Sequence, residues 1–136
     1  MKIFIDTNIF LDVILNRKDA EEATQLLNSC HQKLFDGYLA DITLLNIDYI
    51  ASKQTKNIRD FLHIINQVFT VVGAENEVFD LAFGLDNSDL ENSVQYVCAS
   101  MADCSVIVSN DKKFYRGEIE VLSSIEFMER YLGFSS

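Results

Sequence analysis

Apolar positions along this chain fall into two kinds of stretch, and the two kinds alternate. Ile3-Phe4-Ile5 is a compact apolar run rich in aromatic and β-branched residues, so Lys2 to Ile5 reads as a short buried strand. Asp6-Thr7-Asn8 breaks the run. These side chains favour a helix start, because each can accept from a free backbone N–H. Ile9, Phe10, Leu11, Val13, Ile14 and Leu15 then come densely enough for a buried helix. Asp19 to Leu34 is amphipathic, with Ala20, Ala23, Leu26, Leu27 and Cys30 on its apolar side and acidic residues in its first turn. Asp36-Gly37 reads as a turn and Tyr38 to Thr43 as a second strand. Helical spacing resumes over Leu44 to Ser52 and again over Lys56 to Val68. Phe69 to Val72 is a strand ended by Gly73, and Glu75 to Phe83 a helix ended by Gly84.

The polar stretch from Asp86 to Asn92 leads into an apolar helix running through Ala102. Ser88 and Glu91 have the Ser-x-x-Glu spacing of a capping box. Ser105 to Ser109 is a further strand, Glu120 to Leu122 a last short one, and Ile125 to Leu132 a terminal helix. Strands alternating with helices predict an α/β fold: a central, mostly parallel sheet between two layers of helices, an α/β/α sandwich with right-handed crossovers. No proline, repeat, linker or low-complexity stretch divides the chain, so residues 1–136 are expected to form one domain.

Composition narrows the class. A hydrophobic content of 49% with 24% charged residues is that of an ordinary globular protein. No apolar run reaches the ~18 residues that would span a bilayer, and the short run before Asp6 is not a signal peptide, so a cytoplasmic location away from membranes is expected. Three cysteines, Cys30, Cys98 and Cys104, form no Cys-x-x-Cys pair and suit a reducing compartment. Cys98 and Cys104 are expected to be buried thiols. The net charge of −10 excludes binding of a phosphate backbone by bulk electrostatics. A nucleic-acid ligand would need bound metal and local cations, for which Arg17 and Lys18, Lys53 to Arg59, and Lys112 to Arg116 are the clusters available.

Three acidic stations fall at comparable places. Asp6 ends the first strand, Asp111 follows the strand through Val108, and Asp89 with Glu91 opens the helix just before that strand. The carboxyl ends of strands in an open α/β sheet are where ligands bind. If the two strands are parallel neighbours, Asp6 and Asp111 meet at one edge. Carboxylates gathered there repel one another unless a cation joins them, and hard oxygen donors select Mg²⁺ or Mn²⁺. Such a site activates water and stabilises a phosphodiester under attack.

Two segments carry a resemblance. Ile3 to Asp12, with its hydrophobic-Asp-Thr-Asn core, resembles the opening motif of the PIN domain family. Ile107-Val-Ser-Asn-Asp-Lys-Lys-Phe114 resembles the family's closing hydrophobic-Thr-x-Asp-x-x-Phe motif, with Ser109 where Thr is usual. The order of elements between them fits along the whole chain. The resemblance implies a metal-dependent endoribonuclease acting on single-stranded RNA, as the toxin of a toxin–antitoxin pair, with an antitoxin protein as partner and a homodimer as assembly. Two positions depart from the family pattern. Asn46 stands where a Glu is usual, as in one PIN subfamily, and Asn92-Ser93 stands where Asp-Ala is usual. On a helix, residues 89 and 92 share a face, while residue 91 points about 100° from 92. Asp6, Asp89 and Asp111 are therefore the expected catalytic and metal-binding acids, with Glu91 in reserve and Asn46 and Asn92 as neutral neighbours. The competing reading is a weakened PIN module that binds RNA or a protein without cutting. A phosphotransfer or dehalogenase-like enzyme with Asp6 as nucleophile is disfavoured, because it wants a second Asp where Asn8 stands.

Overall fold

The computed structural model describes residues 1–133. The last three residues of the span expected to form one domain, 134–136, lie outside the described residues. The element order is β1 (Lys2–Ile5), α1 (Thr7–Ile14), α2 (Ala20–His31), β2 (Asp36–Ala40), α3 (Asp41–Ala51), α4 (Ile58–Val68), β3 (Thr70–Val72), α5 (Asn76–Phe83), α6 (Leu90–Met101), β4 (Val106–Val108), β5 (Glu120–Leu122) and α7 (Ser124–Leu132). The five strands make one sheet in the order β3-β2-β1-β4-β5, and every neighbouring pair is parallel.

Alternation along the strands sorts the core into two layers. Ile3, Ile5, Leu39, Val106, Val108 and Leu122 pack on one face with residues of α1, α2, α3, α4 and α7. Phe4, Ala40, Ile107 and Val121 pack on the other with residues of α5 and α6 and with Phe114. A parallel sheet covered on both faces must be apolar at consecutive positions, which is why β1 and β4 are unbroken runs. Fully burying a Phe or Leu side chain contributes about 1.5–3 kcal/mol, and Phe4, Phe10, Phe114 and Phe127 anchor the two layers. The α/β/α sandwich expected from the sequence is the fold observed.

The strand order reverses direction at β1. The chain first lays β2 and β3 on one side of it, then crosses to place β4 and β5 on the other. β1 and β4 are therefore the switch-point pair, in the register Ile5↔Val108. That register puts Asp6 and Ser109, each one residue past its strand, side by side at the carboxyl edge.

Three local readings are corrected. Asp36-Gly37 is not a turn but the start of β2, paired with Lys2 and Ile3. Gly37 is buried, and a Cβ there would meet the Phe69 ring at 2.4 Å and Cys30 Sγ at 3.1 Å. The glycine serves close packing rather than chain reversal. The strand also ends earlier than expected, because Asp41 already opens α3. The capping box is not at Ser88 and Glu91. The N-cap of α6 is Asp89, whose side chain accepts from the Asn92 N–H. The capping box among the described helices lies at Ser123 and Glu126 of α7.

The three cysteines are buried free thiols, and burial pushes Cys30 up to about 12 and Cys98 and Cys104 to about 11. No helix of the described residues is long and apolar enough to cross a membrane.

Candidate active site

Asp6 is completely buried at the end of β1. It occupies the N-cap position of α1 without capping it: no backbone N–H of the helix donates to its side chain. Its carboxylate turns instead to neighbouring elements. Oδ2 accepts from Ser109 Oγ at 2.8 Å, and Oδ1 accepts from Gln95 Nε2 at 2.9 Å. Gln95 Oε1 in turn accepts from the Thr7 backbone N–H at 3.1 Å. The Thr7 bond fixes which end of the Gln95 amide faces Asp6, since only the amide oxygen can accept. The start of α1 is tied further by Thr7 Oγ1 and Thr43 Oγ1, 2.8 Å apart.

Ser109 Oγ also accepts from the Asp111 backbone N–H at 3.1 Å. Asp111 Oδ1 accepts from the Lys113 N–H at 2.9 Å, and Oδ2 accepts from Asn92 Nδ2 at 3.0 Å. The structure thus brings Asp6, Asp111 and Asn92 together around Ser109. Burial raises Asp6 to about 6, the Ser109 and Gln95 hydrogen bonds oppose the rise, and the charges of Glu91 and Asp111 add to it.

The two acids at the start of α6 differ in their surroundings. Glu91, held in reserve by the sequence reading, is half-buried and acts on Asp6. Asp89, expected as a ligand, is exposed, and its Oδ1 accepts from the Asn92 N–H at 3.1 Å as the cap of α6. Among the described residues no three His, Cys, Asp or Glu side chains form a group that would hold a metal ion by themselves. Asn46 is half-buried on α3, one turn beyond Thr43.

The donor set nevertheless suits one hard cation. Asp6 and Asp111 offer carboxylate oxygens that each carry a single protein hydrogen bond, which leaves lone pairs available. Mg²⁺ requires only one or two carboxylates and keeps several waters. A buried carboxylate raised toward neutrality beside two further acids is also a place where a cation relieves repulsion. Beside Asp111 opens a cleft of about 270 Å³ that Lys18, Lys112 and Arg116 line together with Asp19 and Glu126. Residues of two basic clusters, far apart in sequence, thus converge beside Asp111.

Gln95 escaped the sequence reading because it was absorbed into an apolar helix. Its own signal was a buried-type position carrying an amide, one turn beyond Asn92 on the same face, which demands a polar partner. Asp12 and Asn110 escaped it too, for want of any pattern linking them. Asn110 Nδ2 donates to Asp12 Oδ2 at 3.0 Å.

Comparisons with known proteins bear on the family and the fold. The PIN domain family profile matches residues 2–113. The chain is 32% identical to Ribonuclease VapC1 of Aquifex aeolicus over 140 aligned positions, covering 96% of this chain and 95% of that protein. A toxin–antitoxin complex from Klebsiella pneumoniae has a chain of similar fold, with a TM-score of 0.69 at 18% identity over 91% of this chain and 98% of that one. VapBC2 from Rickettsia felis, bound to a DNA fragment from its promoter, gives a TM-score of 0.65 at 19% identity over 90% and 98% of the two chains. With its opening and closing motifs joined at the edge of a five-stranded parallel sheet, and a family profile and a close relative spanning most of its length, the chain belongs to the PIN domain family.

Proposed function

We propose that this protein is a divalent-cation-dependent endoribonuclease that cleaves single-stranded RNA, and that it is the toxin of a toxin–antitoxin pair. The observation that carries this reading is the Asp6 carboxylate. It is fully buried at the switch point, held on both oxygens by Ser109 and Gln95, and faced by the charges of Glu91 and Asp111. A purely structural acid would be expected to pair with a cation or cap a helix. Asp6 does neither.

In this reading Asp6 and Asp111 hold Mg²⁺ or Mn²⁺ directly or through water, and Glu91 supplies outer charge. Asp89 serves mainly to cap α6. Asn46 and Asn92 are neutral neighbours. The bound ion would activate water and offset charge on the phosphodiester. Ser109 and Gln95 keep the Asp6 carboxylate fixed and ionisable inside the fold. Lys18, Lys112 and Arg116 balance the acidic lining of the adjoining cleft against the net charge of −10, so an RNA strand meets local cations there.

The antitoxin partner is inferred from the toxin–antitoxin complex of Klebsiella pneumoniae, one chain of which has a similar fold. Exposed Leu45 and Tyr49 on α3 and exposed Leu81 and Phe83 on α5 supply apolar surface for an antitoxin and for a second copy in a homodimer. A cytoplasmic location accords with the free thiols.

One observation favours the weakened module that binds without cutting. Asn92 stands where the family has an acid and donates its amide to Asp111, so one charge is missing and one carboxylate oxygen is engaged. The two readings part in one experiment: cleavage of a labelled single-stranded RNA with Mn²⁺ or with chelator, by the wild type and by Asp6→Asn. Cleavage that needs both the ion and Asp6 supports the nuclease. Binding without cleavage under every condition supports the module.

A further inference from the structure

Asp12 lies in the opening motif, is buried, and is a carboxylate, so it resembles a fourth acid of the site. Its contacts point elsewhere. Oδ2 accepts from Asn110 Nδ2 at 3.0 Å, and Oδ1 lies 3.8 Å from an Arg17 guanidinium nitrogen. The charges that reach Asp6 are those of Glu91 and Asp111. Asn110 continues the chain of bonds. Its Oδ1 accepts from the Ser124 backbone N–H at 2.9 Å and from Ser124 Oγ at 3.2 Å. The Ser124 N–H can only donate, so the amide orientation is fixed and Nδ2 must face Asp12.

One side chain thus ties three elements together: α1 through Asp12, the end of β4 through its own backbone, and the start of α7 through Ser124. Asn110 sits between the two residues of the turn that the site uses, Ser109 and Asp111. The outer half of that turn has other anchors, namely the Phe114 N–H to Asp111 carbonyl bond at 3.0 Å and the buried Phe114 ring. The inner half is anchored by the Ser109 N–H to Leu122 carbonyl bond at 2.9 Å and, beyond it, by the Asn110 side chain.

We propose that the Asp12–Asn110–Ser124 chain is a positioning device for the cation site. It sets the turn that brings Ser109 Oγ to Asp6 and aims Asp111, and Asp12 is not a donor to the ion. The inference rests on the cation-dependent reading above. Groups that orient metal ligands from behind typically change affinity by 10–100-fold when removed.

The test exploits the polarity of the Asp12–Asn110 bond. The exchange Asp12→Asn with Asn110→Asp swaps donor and acceptor, keeps the net charge, and leaves an oxygen to accept from Ser124. Mn²⁺ affinity is measured by titration calorimetry on folded protein, well below the melting temperature, where a merely structural role would leave it unchanged. Asn110→Ala is expected to bind Mn²⁺ about tenfold more weakly or worse, and the exchange variant to recover to within about threefold of wild type. Asp12→Ala removes the same bond from the other side and replaces Asn110→Ala if that variant does not fold. Wild-type affinity in the Ala variant, or an exchange variant no better than it, overturns the proposal. A wild type that binds no Mn²⁺ overturns the cation-dependent reading itself, which is a different result.

Discussion

Ser109 Oγ stands 2.8 Å from Asp6 Oδ2 and 3.1 Å from the Asp111 backbone nitrogen, so a single hydroxyl joins the two acidic stations of the site. It donates to the one and accepts from the other, which uses its single proton and one lone pair. The bond exists because β1 and β4 are parallel neighbours in the register Ile5↔Val108. Sheet topology therefore sets the site chemistry directly.

Removal of that hydroxyl leaves a buried carboxylate oxygen without its donor. Ser109→Ala is expected to lower stability at neutral pH by about 1–3 kcal/mol and to push Asp6 further above the usual carboxylate range. Ser109→Thr, the residue usual in the family, keeps the hydroxyl and should retain most of that stability. Urea denaturation of the three proteins at pH 7 checks the order.

Asp6 also predicts the pH dependence of the protein without metal. Its pKa rises from 3.8 to about 6 on folding, chiefly by burial. The folded state then binds the proton more tightly than the unfolded state. The corresponding stability is fully present below pH 3.8 and is lost as pH rises through about 6. The loss is on the order of 3 kcal/mol. Asp6→Asn removes this dependence, so the variant should be as stable as wild type at low pH and more stable at pH 7 without metal. Denaturation in chelator across pH 4–8 checks it. Added Mn²⁺ should stabilise wild type above about pH 6 and lose its effect below, where protons compete for the carboxylate.

A third expectation concerns packing away from the site. Gly37→Ala would place a methyl group 2.4–2.5 Å from the Phe69 ring. That ring is itself held edge-on to Phe10, with centroids 5.4 Å apart. Overpacking of this kind costs about 1–3 kcal/mol. Thermal unfolding should register a lower melting temperature with no change in Mn²⁺ affinity, since the contact lies on the α2–α4 side of β2.

The parts of this molecule that were legible in its sequence share a physical cause. Burial of a parallel sheet on both faces forces consecutive apolar residues, so β1 and β4 announced themselves, and with them the acids that end them. The placements of Asp6 and Asp111 followed from that. Errors came where one residue type serves two purposes. Gly37 is a packing glycine inside a strand, not a turn glycine, and nothing local distinguishes the two. Ser88 and Glu91 have capping-box spacing, yet Asp89 makes the cap, because several adjacent side chains were competent. Long-range polar partners were the least legible. Gln95 and Asn110 act on residues more than eighty positions away, and only the assembled topology brings them there.

Asn92 offers the most direct test of the central claim, that a divalent cation sits between Asp6 and Asp111. The amide of Asn92 donates to Asp111 Oδ2 at 3.0 Å. Asn92→Asp replaces that donor with an acid, so the protein without metal should become less stable through like-charge repulsion, and metal should bind more tightly. The decisive measurement is a thermal-shift titration with Mn²⁺ at pH 7 on wild type, Asp6→Asn and Asn92→Asp. The account predicts a concentration-dependent rise for wild type, a larger rise for Asn92→Asp and none for Asp6→Asn. An equal rise in all three would place the cation elsewhere and contradict it.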